Sequence, residues 1–398
     1  MIKEFRQKYN SQFNEDTYKQ FVKYLDGLCG HKIEFRIAET PIFVPDHLFN
    51  EIIQASEELT SVIPTKEFRE FTKNAIPPGL ESPNEEAVPS LLSLDFAICR
   101  GEDGNLHPQL IELQGFASLY CYQELLNEAM RKHFWLPEDA KSYFFVKDHD
   151  EYVSVVRRSI VGDSDPENVV LIDIEPEKQK TYIDFLATEK YLGIRSICLT
   201  DIVKRGRKLY YTYGGREIPI DRIYNRVIND ELERRKDIKY NFSFQDDLDV
   251  KWIAHPNWFY RLSKYSMPFF RSKYVPETKF LNEYEKYPDD VENYVLKPLF
   301  SFAGVGVKFD LEKGFLETIK DPENYILQKK VVYEPVIETP DIPAKAELRL
   351  LYVWEEGSEK PLLLNNLVRL SKGKMMGVDF NKDKTWVGSS IAYHSRSF

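Results

Sequence analysis

Apolar residues recur at three- and four-residue steps through the first thirty positions: Phe5, Tyr9, Phe13, Tyr18, Phe21, Leu25 and Leu28. That spacing predicts an amphipathic helical segment. Asp46 to about Val62 repeats the pattern, with Leu48, Ile52, Ile53, Leu59 and Val62 as the apolar face. The period then changes. Leu91–Cys99 and Pro108–Leu113 are apolar runs flanking the turn-rich Gly101-Glu102-Asp103-Gly104-Asn105, a strand–turn–strand pattern. Its second strand ends in Ile111-Glu112-Leu113-Gln114-Gly115, and Tyr120–His133 returns to helical spacing.

The middle of the chain predicts a βαβ unit. Asn168–Ile174 is a short buried strand, Pro176 opens a helix running to about Tyr191, Gly193 ends it, and Ile194–Leu199 is a second strand. Leu209–Tyr213, Gly214-Gly215 and Arg222–Val227 are expected to continue that sheet. The first strand-to-helix turn, Glu175-Pro176-Glu177-Lys178-Gln179, holds no glycine, so a dinucleotide fingerprint is missing. From about residue 268 the pattern becomes α+β. Tyr294–Leu296 leads into Lys297-Pro298 and a glycine-bearing loop, with Val305–Phe309 as the expected return strand. Tyr325–Gln328, Glu347–Trp354, Pro361–Leu370 and Thr385–Tyr393 read mostly as strands. There is no internal repeat and no low-complexity linker.

Composition narrows the classes. The 398 residues carry 54 Lys+Arg against 64 Asp+Glu, a net charge of −10. An acidic balance lacks the basic footprint of a general nucleic-acid binder, and 26 Phe, 24 Tyr and 5 Trp exclude a solvated, disordered chain. The four cysteines, Cys29, Cys99, Cys121 and Cys198, form no metal-ligand spacing and read as isolated buried or half-buried thiols. The first ten residues lack the apolar region of a signal peptide, and no apolar run approaches the roughly 18 residues of a membrane helix. A cytoplasmic protein with no membrane partner is the expectation.

Three groups of residues could carry chemistry. In Tyr294-Val-Leu-Lys297-Pro-Leu-Phe-Ser301-Phe-Ala-Gly304-Val-Gly306, a strand delivers Lys297, and Ser301, Gly304 and Gly306 make a loop whose backbone N–H groups can face anionic oxygens. An ordinary hairpin with a lysine at its buried rim would read the same way. Glu112 and Gln114 are two apart on a strand and so leave it on one face. With Asp95 on the neighbouring strand they form a set of hard oxygen donors suited to Mg2+, or else a solvated polar face. Arg349 in Glu347-Leu-Arg349, and Arg369 in Leu367-Val-Arg369, offer planar forks for phosphate or carboxylate, or simply pair with acidic neighbours. No Ser–His or Cys–His arrangement suggests a hydrolase triad.

Taken together, these segments resemble the ATP-grasp superfamily, in the permuted order of circularly permuted ATP-grasp and glutathionylspermidine synthase-like proteins. Asp95-Phe96 followed by Gly104–Gln114 looks like that family's metal-binding hairpin, and Arg222–Asp230 like the strand after its pre-ATP-grasp layer. Ser263-Lys264-Tyr-Ser-Met-Pro268 is similar to the segment supplying the first nucleotide lysine. Lys297-Pro298 with Gly304 and Gly306 is similar to the second lysine and its flap, and Tyr325–Val331 to the adenine hinge. Glu347-Leu-Arg349 and Leu367-Val-Arg369, with Asn381-Lys-Asp-Lys-Thr-Trp386-Val, resemble the closing strands. The resemblance spans roughly residues 35–393 and departs in two places. Gln114 stands where an Asn is usual, and the flap holds only two glycines, with Phe302 and Ala303 expected to stiffen it.

The resemblance implies an α/β and α+β ATP-grasp fold in permuted order, with a Rossmann-like pre-ATP-grasp domain. The expected organisation is a helical segment (1–34), a metal-binding part (35–150), the pre-ATP-grasp layer (151–262) and the nucleotide-binding lobes (263–398). It implies an ATP- and Mg2+-dependent carboxylate–amine ligase acting through an acyl phosphate, on a small-molecule or peptide carboxylate and an amine. Asp95, Glu112 and Gln114 would hold Mg2+. Lys264 and Lys297 would grip the phosphates under Ser301, Gly304 and Gly306, and Gln328, Lys329, Lys330 and Val331 would flank adenine. Arg349 and Arg369 would neutralise the transferring group, and residues around Arg222–Asp230 and Phe116–Tyr120 would select substrates. A small-molecule kinase using the same ATP site and a catalytically inactive binding module remain open beside it.

Overall fold

Asn14 divides the expected N-terminal helix in two. Its side chain accepts from the backbone N–H groups of Asp16 and Thr17 and so starts a second helix. In the computed structural model, which describes residues 1–301, 304–377 and 380–395, the chain opens with α1 (Lys3–Gln12) and α2 (Glu15–Leu28). Their apolar stripes bury Tyr9, Phe21 and Leu25 against Tyr122, Leu126 and Trp386 in one core. There follow β1 (Ile42–Phe43), α3 (Asp46–Ser61), α4 (Lys66–Phe71), the hairpin of β2 (Leu91–Arg100) and β3 (Leu106–Gln114), and α5 (Tyr120–His133).

The middle comprises α6 (His149–Ile160), β4 (Val169–Asp173), α7 (Tyr182–Leu192), β5 (Arg195–Cys198), β6 (Val203–Arg205), β7 (Lys208–Tyr213), β8 (Arg216–Ile220), β9 (Arg222–Asn225), α8 (Asn229–Arg234), β10 (Lys251–Ile253) and α9 (Pro256–Arg261). The last part is β11 (Thr278–Phe280), β12 (Tyr294–Pro298), β13 (Tyr325–Lys329), β14 (Lys345–Val353), β15 (Leu362–Ser371), β16 (Gly388–Ser390) and β17 (Ala392–Tyr393).

Three sheets position the site. A five-stranded antiparallel sheet, ordered β16-β15-β14-β2-β3, joins the early hairpin to the late strands. A three-stranded antiparallel sheet, β11-β13-β12, lies beside it, and a parallel sheet, β10-β9-β4-β5, forms the middle layer. The first is buried through Leu94, Phe96, Leu348, Leu350 and Val368 over α3.

Several expectations are corrected. Leu209–Tyr213 does not extend the parallel sheet. Gly214 and Gly215, at φ +56° and +75°, turn the chain back into β8, as a two-residue hairpin loop requires, and β6-β7-β8 is a separate antiparallel sheet. The helix expected from Pro176 is a single 3-10 turn, and α7 starts only at Tyr182. Val305–Phe309 is no strand; Gly304 and Gly306 both sit at φ +75°, and only Lys308 bridges back to Leu296. Phe302 and Ala303, expected to stiffen that loop, lie outside the described residues. Among the described residues no helix is long and apolar enough to cross a membrane.

Candidate functional site

A row of charged residues crosses the five-stranded sheet. Glu112 lies opposite Asp95, Asp95 opposite Arg349, and Glu347 opposite Arg369. Cross-strand partners share a face, so all five side chains, with Gln114 two residues beyond Glu112, emerge on one side. Asp95 is fully buried. Its Oδ1 accepts from Arg349 Nε at 2.7 Å, and its Oδ2 from Arg349 Nη2 at 2.6 Å and Arg369 Nη2 at 2.7 Å. Arg369 also donates to Glu347, which accepts from the Tyr333 hydroxyl as well. Burying a carboxylate is costly unless it is paired and hydrogen-bonded, and here two guanidinium groups do both. Burial would lower the Arg369 guanidinium, but Glu347, Asp95 and Glu112 outweigh it and push it up.

This geometry departs from the expected metal set. The sequence assigns Asp95 to Mg2+, whereas the structure gives both its oxygens to arginines, and the positive charge of two guanidinium groups opposes a cation there. Asp95 anchors Arg349 and Arg369. Glu112 accepts from the Gln114 amide N–H, a bond that uses the amide nitrogen and not the carbonyl oxygen expected to meet a metal. Among the described residues no group of three or more His, Cys, Asp or Glu side chains is arranged to hold a metal. Of the three expected magnesium ligands, Asp95 is the one whose oxygens are both engaged by arginines.

Two lysines converge beside Glu112 from different parts of the chain. The β2–β3 register slips between Asp95 and Phe96, leaving Ile111 as an extra residue on β3. Such a bulge breaks the ladder locally, and Lys297 Nζ reaches the Ile111 carbonyl at 3.3 Å. It also donates to Gln328 Oε1 at 2.5 Å, while Gln328 Nε2 donates to Thr278 Oγ1 at 3.0 Å. Lys264, in the 3-10 turn after α9, donates to the Ser301 carbonyl at 2.5 Å and lies 3.9 Å from Glu112. Burial would raise the Glu112 carboxyl, yet Lys264, Arg349, Arg369 and Lys297 hold it down at about 2. Burial lowers the Lys297 ammonium to about 8, against the pull of Glu112.

A cavity of about 30 Å³ opens beside Glu112 and Lys264, lined also by Gln114, Phe116, Phe259 and Ser301, while Lys297 is buried outside its lining. Both lysines spend their donors largely on neutral acceptors, which incoming phosphate oxygens can replace with stronger, charge-assisted bonds. In kind, these donors suit anionic oxygens. Gly304 and Gly306 place an exposed turn next to this cleft; a side chain at Gly306 would meet Pro298 Cγ at 2.8 Å. Of the expected adenine residues, Gln328 is committed to Lys297 and Thr278. Lys329 is exposed, Val331 is half-buried, and Lys330 donates to the Glu292 carbonyl.

One residue escaped individual notice in the sequence. Arg226 follows β9 and is nine-tenths buried, its guanidinium 4.9 Å from the Phe116 ring centroid, and its Nε and Nη1 have no hydrogen-bond partner. The signal that could have singled it out is its place at the carboxyl end of a parallel strand, where open α/β sheets bind ligands.

No protein-family model matches the chain, and no curated protein matches it in sequence. Among solved structures it is similar to a glutathione synthetase-like effector from Globodera pallida, determined in the apo form. The TM-score is 0.59 at 10% identity, over 97% of this chain and 98% of that one. The two chains share a mixed α/β fold along nearly their whole length.

Proposed function

We propose that the chain binds ATP with its phosphates between Lys264 and Lys297, and that it is a carboxylate–amine ligase. The convergence of these two buried lysines on Glu112, with the Arg349–Arg369 pair behind it, carries the reading. The fold shared with a glutathione synthetase-like protein supports it. Catalysis of this kind needs positioning and charge neutralisation rather than a protein nucleophile. The γ-phosphoryl moves from ATP to an oxygen of the substrate carboxylate, releasing ADP. The amine nitrogen then attacks the acyl carbon; the C–N bond forms, the C–O bond to phosphate breaks, and inorganic phosphate leaves, taking up the proton that the nitrogen gives up. Lys297 and Lys264 offset charge on the phosphates, Arg349 and Arg369 supply positive potential along the sheet face, and Arg226 offers its free donors to the acid substrate. No step is assigned to a metal.

One observation favours a second reading, a non-catalytic binding module: Asp95, expected to hold magnesium, is paired with two arginines instead. Incubation with ATP, Mg2+, hydroxylamine and a panel of amino acids and short peptides separates the cases. A ligase yields a hydroxamate with at least one acid, and Lys297→Ala abolishes it. ADP without hydroxamate identifies a kinase, and nucleotide binding without ADP release identifies the module. Failure to bind nucleotide contradicts both readings.

A further inference from the structure

One face of the three-stranded sheet carries a hydrogen-bond relay that ends on Lys297. Thr278 of β11 lies opposite Gln328 of β13, and Gln328 lies opposite Val295 of β12, two residues before Lys297. Cross-strand partners share a face and a strand repeats every two residues, so Thr278, Gln328 and Lys297 emerge on the same side. All three are more than nine-tenths buried. Lys297 Nζ donates to Gln328 Oε1 at 2.5 Å, Gln328 Nε2 donates to Thr278 Oγ1 at 3.0 Å, and the Thr278 hydroxyl donates to the Pro276 carbonyl at 2.8 Å. The direction of the relay is forced at both ends. An ammonium only donates and a carbonyl only accepts. The Gln328 amide therefore turns its oxygen to Lys297, and the Thr278 hydroxyl accepts from the amide nitrogen.

The two acceptors of Lys297 are unequal. The Ile111 carbonyl lies at 3.3 Å, beyond the usual range of an N–H···O bond, whereas the Gln328 oxygen is close and held from behind. Ile111 precedes Glu112, which lines the small cavity, so the weaker bond is the one made toward the cleft. A neutral acceptor also suits an anion site. A carboxylate in place of the Gln328 amide would pair with the ammonium and compete with an anionic ligand, whereas the amide accepts a bond and leaves the charge unspent. The other charges facing Lys297 are Glu112 on β3, Glu347 on β14 and Lys264 in the 3-10 turn after α9.

We infer that Gln328 and Thr278 are positioning residues for Lys297: their relay holds the ammonium from behind, so that an incoming phosphate oxygen displaces only the long bond to Ile111. The inference rests on the reading of Lys297 as a phosphate ligand, and one set of titrations tests the two separately. The ATP analogue AMP-PNP is titrated into the full chain by calorimetry at pH values on either side of about 8. Four proteins are compared: the wild type, Gln328→Met, which removes the acceptor, Thr278→Val, which removes only the hydroxyl, and Thr278→Ser, which keeps it. The ionisation of AMP-PNP itself is common to all four. Losing an acceptor disfavours the charged ammonium, so Gln328→Met and Thr278→Val should shift the loss of affinity to lower pH. At neutral pH they should weaken binding by about tenfold and about threefold, and Thr278→Ser should match the wild type. Thermal unfolding shows which variants are folded, and Thr278→Val decides the matter if Gln328→Met does not fold. Weaker binding with an unmoved pH profile indicates a merely structural role and overturns the inference. Wild-type behaviour of both Gln328→Met and Thr278→Val, a Thr278→Ser profile like that of Thr278→Val, or a wild-type profile flat through pH 8 overturns it as well. Absence of AMP-PNP binding by the wild type contradicts the ATP reading instead.

Discussion

Lys297 carries a charge in the interior at a cost that pH can reveal. Its ammonium is lowered to about 8, below the roughly 10.4 of a free lysine. Between those values the unfolded chain holds a proton that the folded chain has released, so this residue raises stability as pH climbs through that window. Binding should run the other way. Above about 8 the neutral amine no longer attracts phosphate, so AMP-PNP affinity should fall as pH rises through 8, and Lys297→Arg, which stays charged, should flatten that fall. Affinities measured on either side of pH 8 decide it. Asp95 makes a second prediction at this scale. Replacing it with Asn leaves Arg349 without its buried counter-charge, while Arg369 keeps Glu347, and should lower unfolding stability by about 3–5 kcal/mol in urea titration. Side-chain alternation made it legible that Glu112 and Gln114 share a face and that Asp95 can join them. What Asp95 pairs with was not legible, because Arg349 lies 254 residues away and periodicity carries no register between distant strands.

The helix α5 shows the same limit among elements. Its spacing identified Tyr120–His133 without error at either end, yet its start depends on a residue far along the chain. Leu119 precedes it at φ +70° with no side-chain cap. Instead Asp184 of α7 accepts from the backbone N–H groups of Leu119 at 3.0 Å and Tyr122 at 2.9 Å. This buried carboxylate fixes the turn from Gly115 to Leu119 and with it Phe116, which lines the cleft. Asp184→Ala should therefore destabilise the fold by about 1–3 kcal/mol, and Asp184→Asn, which keeps one acceptor oxygen, by less; thermal unfolding of the two variants tests the order. Local signals failed where backbone conformation governed: paired glycines made β7–β8 a separate hairpin, and two left-handed glycines kept 304–308 from becoming a strand.

Across the whole molecule, segments that the sequence separates meet in one sheet. Strand β2 pairs with β14, so the early hairpin and the late strands share a face, and β12 brings Lys297 to the bulge at Ile111. The net charge of −10 is compatible with an anion site because Lys264, Lys297, Arg349 and Arg369 are gathered there, each near a carboxylate that offsets its burial. The central claim is that Lys264 and Lys297 receive the phosphates of a nucleotide. Calorimetric titration with AMP-PNP, comparing the wild type with the Lys264→Ala, Lys297→Ala double variant, tests it most directly. The account predicts saturable one-to-one binding by the wild type and an affinity at least about a hundredfold weaker in the double variant, since each charge-assisted contact contributes about 1.5–3 kcal/mol. Equal binding by the two proteins, or none by the wild type, would contradict it.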